Sequence, residues 1–211
     1  MTPHPITVAL TLTTRQRVDL LVATHKYRAE RTADAYRRRK SFHLLTLTEQ
    51  RKVTAAIRDN ARKRRAAGKL LDTQDVLLTE AVRHELIRRG LDPQCPAELE
   101  PGADLPGRWP GVGDRLATER ISASIPRAYM LAVTAEAWRL SAEHIAGIKA
   151  WDYEHPEYNG FRSSVEPEAL AEREALASRL TSPGDIYRDA LDAITSGITL
   201  SPAHAGSELQ L

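Results

Sequence analysis

The 211-residue chain has one cysteine, Cys95. A single thiol excludes an intrachain disulfide and a thiolate zinc cluster within one chain, and it fits a reducing compartment. No apolar run approaches the roughly 18 residues that a membrane-spanning helix needs. The first thirty residues also lack the charged-then-apolar order of a secretory signal. The expectation is a cytoplasmic protein with no membrane partner. There is no phosphate-binding loop, no nucleophile elbow and no glycine-rich dinucleotide turn. His144 and His155 flank Asp152 at a spacing that sets them on different parts of a helix, so neither a metal site nor a cofactor is expected.

Acid is scarce in one stretch. Residues 15–69 hold 17 of the 30 lysines and arginines against five acids. Residues 92–211 reverse the balance, with 10 basic and 19 acidic side chains, so the formal net charge of +2 conceals two opposed halves. A surplus of twelve positive charges in one stretch repels itself unless a polyanion is near for much of its working life. That points to nucleic acid. The opposed halves can also attract each other, so the acidic half could dock on the basic one, compete with the polyanion or hold a second protein.

Residues 6–12 alternate, with Ile6, Val8, Leu10 and Leu12 on one side and Thr7, Ala9 and Thr11 on the other. This is strand periodicity. Thr13 with Gln16 reads as a capping box. The apolar stripe Val18, Leu21, Val22, His25, Ala29, Ala33 and Tyr36 then predicts a helix that ends in Arg37, Arg38, Arg39 and Lys40. A short internal repeat follows: Leu-Thr-Leu-Thr at 10–13 recurs at 45–48, and Val18 falls on Val53. Thr48 is the expected cap of a second helix through Val53, Ala56, Ile57 and Ala61, closing at Arg62, Lys63, Arg64, Arg65 and Gly68. Asp72 with Asp75 signals a third helix, through Leu78, Ala81, Val82 and Leu86 to Gly90.

From 92 to 118 prolines alternate with glycines, and this composition reads as a linker on which Trp109 is the lone tryptophan. Residues 120–126 alternate again, and Pro126 is placed to open a helix that runs through Val133 and Trp138 to Trp151, either unbroken or divided near Ser141. An acidic helix over 168–180 and another introduced by Ser182, Pro183 and Asp185 complete the chain. The expected organisation is mainly α with two short strands: a basic helical unit at 1–91, the linker, an acidic helical unit at 119–200 and a disordered tail at 201–211.

The alternating strand ending in Pro126 and the helical pattern after it resemble the ribbon-helix-helix family of DNA-binding proteins. The resemblance covers residues 120–154 and, more loosely, 6–40. It implies a dimer whose paired strands enter the major groove, with Arg120, Ser122 and Ser124 facing the bases. It also implies Ser141 as the cap of a second helix and Ile145 and Ile148 in a dimer core. Thr7 and Thr11 would face outward on the N-terminal copy. In a related arrangement the two units form a pseudo-dimer within one chain, pairing residues 6–12 with 121–125.

The expected phosphate contacts are Arg28, Arg31, Arg37, Arg38, Arg39, Lys40, Arg62, Lys63, Arg64 and Arg65. The functional expectation is a DNA-binding homodimer acting without catalysis, as a regulator or a plasmid- or phage-type accessory factor, with RNA as the alternative ligand. Two rival readings stand beside it. One is a helical assembly protein whose charged halves pair with an acidic or basic partner. The other is a ribonuclease, because Arg139 and His144 match the Arg-x4-His spacing of the HEPN family, a spacing that Arg38 and His43 share.

Overall fold

The computed structural model describes residues 3–92, 99, 117–158 and 165–200. Most of the expected linker, Trp109 and the expected tail lie outside the described residues. The elements in order are β1 (Pro3–Leu10), α1 (Leu12–Arg39), a single 3-10 turn (Phe42–Leu44), α2 (Leu47–Ala66), α3 (Gln74–Arg88), β2 (Glu119–Pro126), α4 (Arg127–Glu154), α5 (Pro167–Ser178) and α6 (Pro183–Thr195). The chain is mainly helical with two short strands, as its periodicity predicts.

The strands pair with each other inside the chain, antiparallel, with Val8 opposite Ile121 and Ile6 opposite Ala123. Alternation sorts their side chains: Val8, Leu10, Ile121, Ala123 and Ile125 are buried, while Thr7, Arg120 and Ser122 face solvent. Two backbone groups of β2 are taken up by side chains of the helices beside it. The Ser124 amide donates to Asp75 Oδ1 at 2.9 Å, and the Arg120 carbonyl accepts from Arg15 Nη1 at 2.7 Å. Such contacts blunt an edge that could otherwise template a further strand.

The expected helix starts are displaced. Thr11 and Thr46, not Thr13 and Thr48, cap α1 and α2. Each capping threonine is in extended conformation, and its hydroxyl accepts the amide three residues on, at 3.2 Å from Thr14 and 3.4 Å from Glu49. Thr13 and Thr48 are already inside the helices. The repeat thus has a structural meaning: the same position of each copy caps a helix, and Val18 and Val53 both turn inward. Leu12 and Leu47 each open a helix and remain 54% and 74% exposed, so Leu12 belongs to no strand face. In α3 the cap is Thr73 rather than Asp72 or Asp75. Gly68 carries φ +66, a left-handed conformation that glycine adopts without the strain any other residue would carry at this turn.

The helix α4 runs without a break, which removes the two-helix division near Ser141. No glycine or proline stands there to end the first helix, and Ser141 is buried in the middle of α4 instead of capping anything. Its hydroxyl donates to the Thr181 carbonyl at 3.0 Å and accepts the Thr181 amide at 2.8 Å, tying α4 to the start of α6. Ile145 and Ile148 are buried within this chain, where α4 packs on α5. At α6, Ser182, Pro183 and Asp185 form the capping box expected of them.

Residues from both sides of the proline-rich stretch share one core, in which Leu10, Leu78, Leu86, Ile125, Val133 and Ile186 are all buried. A charged seam stitches the same elements together. Glu85 of α3 is buried and receives Arg88 and Arg89, while Arg89 also reaches Asp189 of α6 at 3.0 Å and Glu136 of α4 at 3.9 Å. Burial alone would raise the Glu85 pKa, but the two guanidiniums hold it below the usual carboxylate range.

Candidate nucleic-acid interface

The C-terminal half of α1 and all of α2 form a helical hairpin, turned at Ser41, whose φ of +48 lies in the left-handed region. Of the twenty residues of α2 only Val53 is buried; Thr54, Ile57, Ala61 and Arg64 are half-buried, and Arg51, Lys52, Arg58, Arg62, Lys63 and Arg65 are exposed. Capping and charge both favour this geometry. Glu49 completes a capping box with Thr46 at the positive end of α2, and its carboxyl is held low by the Thr46 hydroxyl and amide. Lys63, Arg64 and Arg65 sit in the last turn, where cations favour the negative end of the helix dipole.

The ten expected phosphate contacts all belong to this hairpin, but they divide by how they are held. Arg65 forks onto Asp72 with bonds of 2.8 and 2.7 Å, which draws that carboxyl below its ordinary range and ties α2 to the approach of α3. Arg37 pairs with Asp34 at 2.8 Å, and Arg62 and Lys63 share Asp59 at 2.6 and 2.8 Å. Arg31 lies over the Tyr27 ring at 5.7 Å and Lys40 over Tyr36 at 6.0 Å. Among the described residues no carboxylate lies within ion-pair distance of Arg28, Arg38, Arg39 or Arg64, which leaves these four as the cations least committed to the protein itself.

Reading the sequence as runs of adjacent cations overlooked three more residues, Arg51, Lys52 and Arg58, all exposed on α2. The signal was helical spacing. Arg51, Arg58, Arg62 and Arg65 recur at seven, four and three residues and so share one face.

The expected base-reading residues are only partly brought together. Thr7 stands opposite Ser122, their hydroxyls 3.3 Å apart, and Ala9 stands opposite Arg120, on the outward side of the ribbon. Ser124 is half-buried. Thr11 is off the ribbon altogether, because its hydroxyl is spent on the α1 cap. The outward face therefore carries one charge, Arg120.

At the base of the hairpin, His25 Nδ1 accepts the Leu71 amide at 3.3 Å. Burial, then the nearby charges of Arg28 and Arg64, lower its pKa below 6.5, with Asp72 opposing. Elsewhere, Arg139 forks onto the buried Glu136 at 2.7 and 2.8 Å. Five residues apart on one unbroken helix, Arg139 and His144 leave the axis about 140° apart. Among the described residues no group of three His, Cys, Asp or Glu could hold a metal ion, and no helix is long and apolar enough to cross a membrane. Comparison with protein-family models, curated proteins and solved structures gives no match.

Proposed function

We propose that the chain binds nucleic acid, DNA in the first instance, through the α1–α2 hairpin, acting without catalysis as a regulator or accessory factor. One observation carries the reading: a two-helix projection crowded with cations, in which Arg28, Arg38, Arg39, Arg51, Lys52, Arg58 and Arg64 are left without a carboxylate partner among the described residues. Such a surface repels itself until phosphates neutralise it, and its contribution to binding is sequence-independent and salt-sensitive. Any base preference comes from the ribbon, where Arg120, Thr7 and Ser122 face outward. Arginine there can grip guanine bidentately.

Fluorescence anisotropy of labelled duplex DNA and single-stranded RNA tests this. Tight binding at low salt is expected, weakened about tenfold or more by R38Q/R39Q on every sequence, whereas R120A changes discrimination between sequences more than overall affinity. No binding of either nucleic acid at low salt defeats the proposal, and preference for the RNA would redirect it from DNA.

A further inference from the structure

Between α1 and α2 the hairpin leaves an open groove of about 370 Å3, lined by Ala29, Ala33, Tyr36, Ala56, Ile57 and Ala61. The lining residues are mostly too small to close the space between two helices. Cations rim it. Lys63 and Arg64 line it directly, Lys40 sits over the Tyr36 ring, and Arg28 lies close enough to share with Arg64 an effect on His25. Asp59, the one carboxylate that lines it among the described residues, is already held by Arg62 and Lys63.

The acidic half carries an exposed tyrosine beside opposite charge. On the C-terminal half of α4, Glu143, Ala146, Ala150, Tyr153 and Glu154 recur at helical spacing, and all are exposed. Tyr153 is 88% exposed, more than any other large apolar side chain of the described residues. A tyrosine carries about 150–250 Å2 of surface to bury and is among the commonest anchors of protein interfaces. Two carboxylates with no ion pair among the described residues share its face, Glu154 next to it and Glu143 about 15 Å along the helix.

We infer that the hairpin groove receives Tyr153 of a second copy of this chain, with Glu143 and Glu154 set against the rim cations Lys40, Lys63 and Arg64. A two-fold pair of copies makes the contact twice, since each supplies one groove and one tyrosine. The pairing puts apolar surface on α2, which buries only Val53 within its own chain, and it brings the basic and acidic surfaces together. It rests on observations separate from the nucleic-acid reading, Tyr153 and the groove, but it overlaps that reading at Lys63 and Arg64, which a dimer would cover.

Sedimentation velocity of the full chain tests it. The wild type is expected to dimerise at low salt and to lose at least tenfold in affinity at about 0.5 M salt, where the Debye length falls to a few ångströms. Y153A is expected to weaken the dimer about tenfold, and Y153F to keep it. The reversals E143K/E154K and K63E/R64E should each give monomers, and an equimolar mixture of the two should dimerise, because each new surface meets its complement. Circular dichroism of each variant checks that these exposed changes leave the fold intact. A wild type that stays monomeric at low salt overturns the inference. So does a dimer indifferent to Y153A, a mixture that fails to associate, or association that appears only when nucleic acid is added. Y153A, which changes no charge, should still bind nucleic acid at least as tightly as the wild type, so a failure of the dimer is distinguishable from a failure of the proposed function.

Discussion

His25 joins α1 to the segment that leads into α3, its ring nitrogen accepting the Leu71 amide where two arginines stand nearby. Because its folded pKa lies below 6.5, the unfolded chain takes up the proton first as the pH falls. The stability His25 contributes is therefore present above about pH 6.5 and is lost as the pH falls through that value toward the folded pKa. Urea melts between about pH 7.5 and 5.5 should show a loss of stability that H25Q reduces, since glutamine can accept the same amide without titrating. An identical pH dependence in H25Q would contradict this. In the sequence His25 is visible only as one member of the α1 stripe. Its partner is 46 residues away, and no local spacing points to it. Arg65 illustrates the same limit, since within the run at 62–65 nothing distinguishes the arginine that forks onto Asp72 from Arg64, which has no such partner.

At the scale of elements, α2 is the weakly held one. Val53 is its single buried residue, against six buried in the shorter α3. Amide exchange in α2 should be faster than in α3 and α4 by native-state hydrogen exchange. V53A should widen that gap, costing about 2 kcal/mol locally while the amides of α3 keep their protection. Uniform protection across the helices would contradict this account. The element pattern was largely readable because alternation and helical stripes are local: β2 and the stripe of the third helix lie where their periodicity puts them and Ser182 caps α6 as its sequence signals, whereas β1 spans Pro3–Leu10 rather than 6–12. The helix starts were harder. Leu-Thr-Leu-Thr offers two hydroxyls two residues apart, and which one caps is decided by where the chain leaves the extended conformation. Ser141 misled for a related reason: a serine suits a helix cap, but here the Thr181 backbone satisfies its hydroxyl from across the core.

For the whole molecule, opposed charge is divided between a seam that is part of the core and a hairpin that stands outside it. The seam depends on Arg89, whose guanidinium connects Glu85, Glu136 and Asp189 across three helices. R89A should cost about 1.5 kcal/mol in a urea melt, because it removes the charge-assisted bonds to Glu85 and Asp189 while Arg88 still forks onto Glu85 and Arg139 onto Glu136; no measurable loss would show this link of the seam to be dispensable. The charge asymmetry was plain in the composition, and the alternation offered the pairing of β1 with β2, but that Arg89 meets Glu136 and Asp189 was not legible, since those contacts join residues far apart in sequence. The central claim is that the hairpin is a phosphate-neutralising surface. The most direct measurement is the slope of log affinity for duplex DNA against log salt, for the wild type and for R51Q/R58Q. The account predicts a steep negative slope that flattens by about 0.9 for each phosphate contact removed. A slope near zero, or one unchanged in the variant, would contradict it.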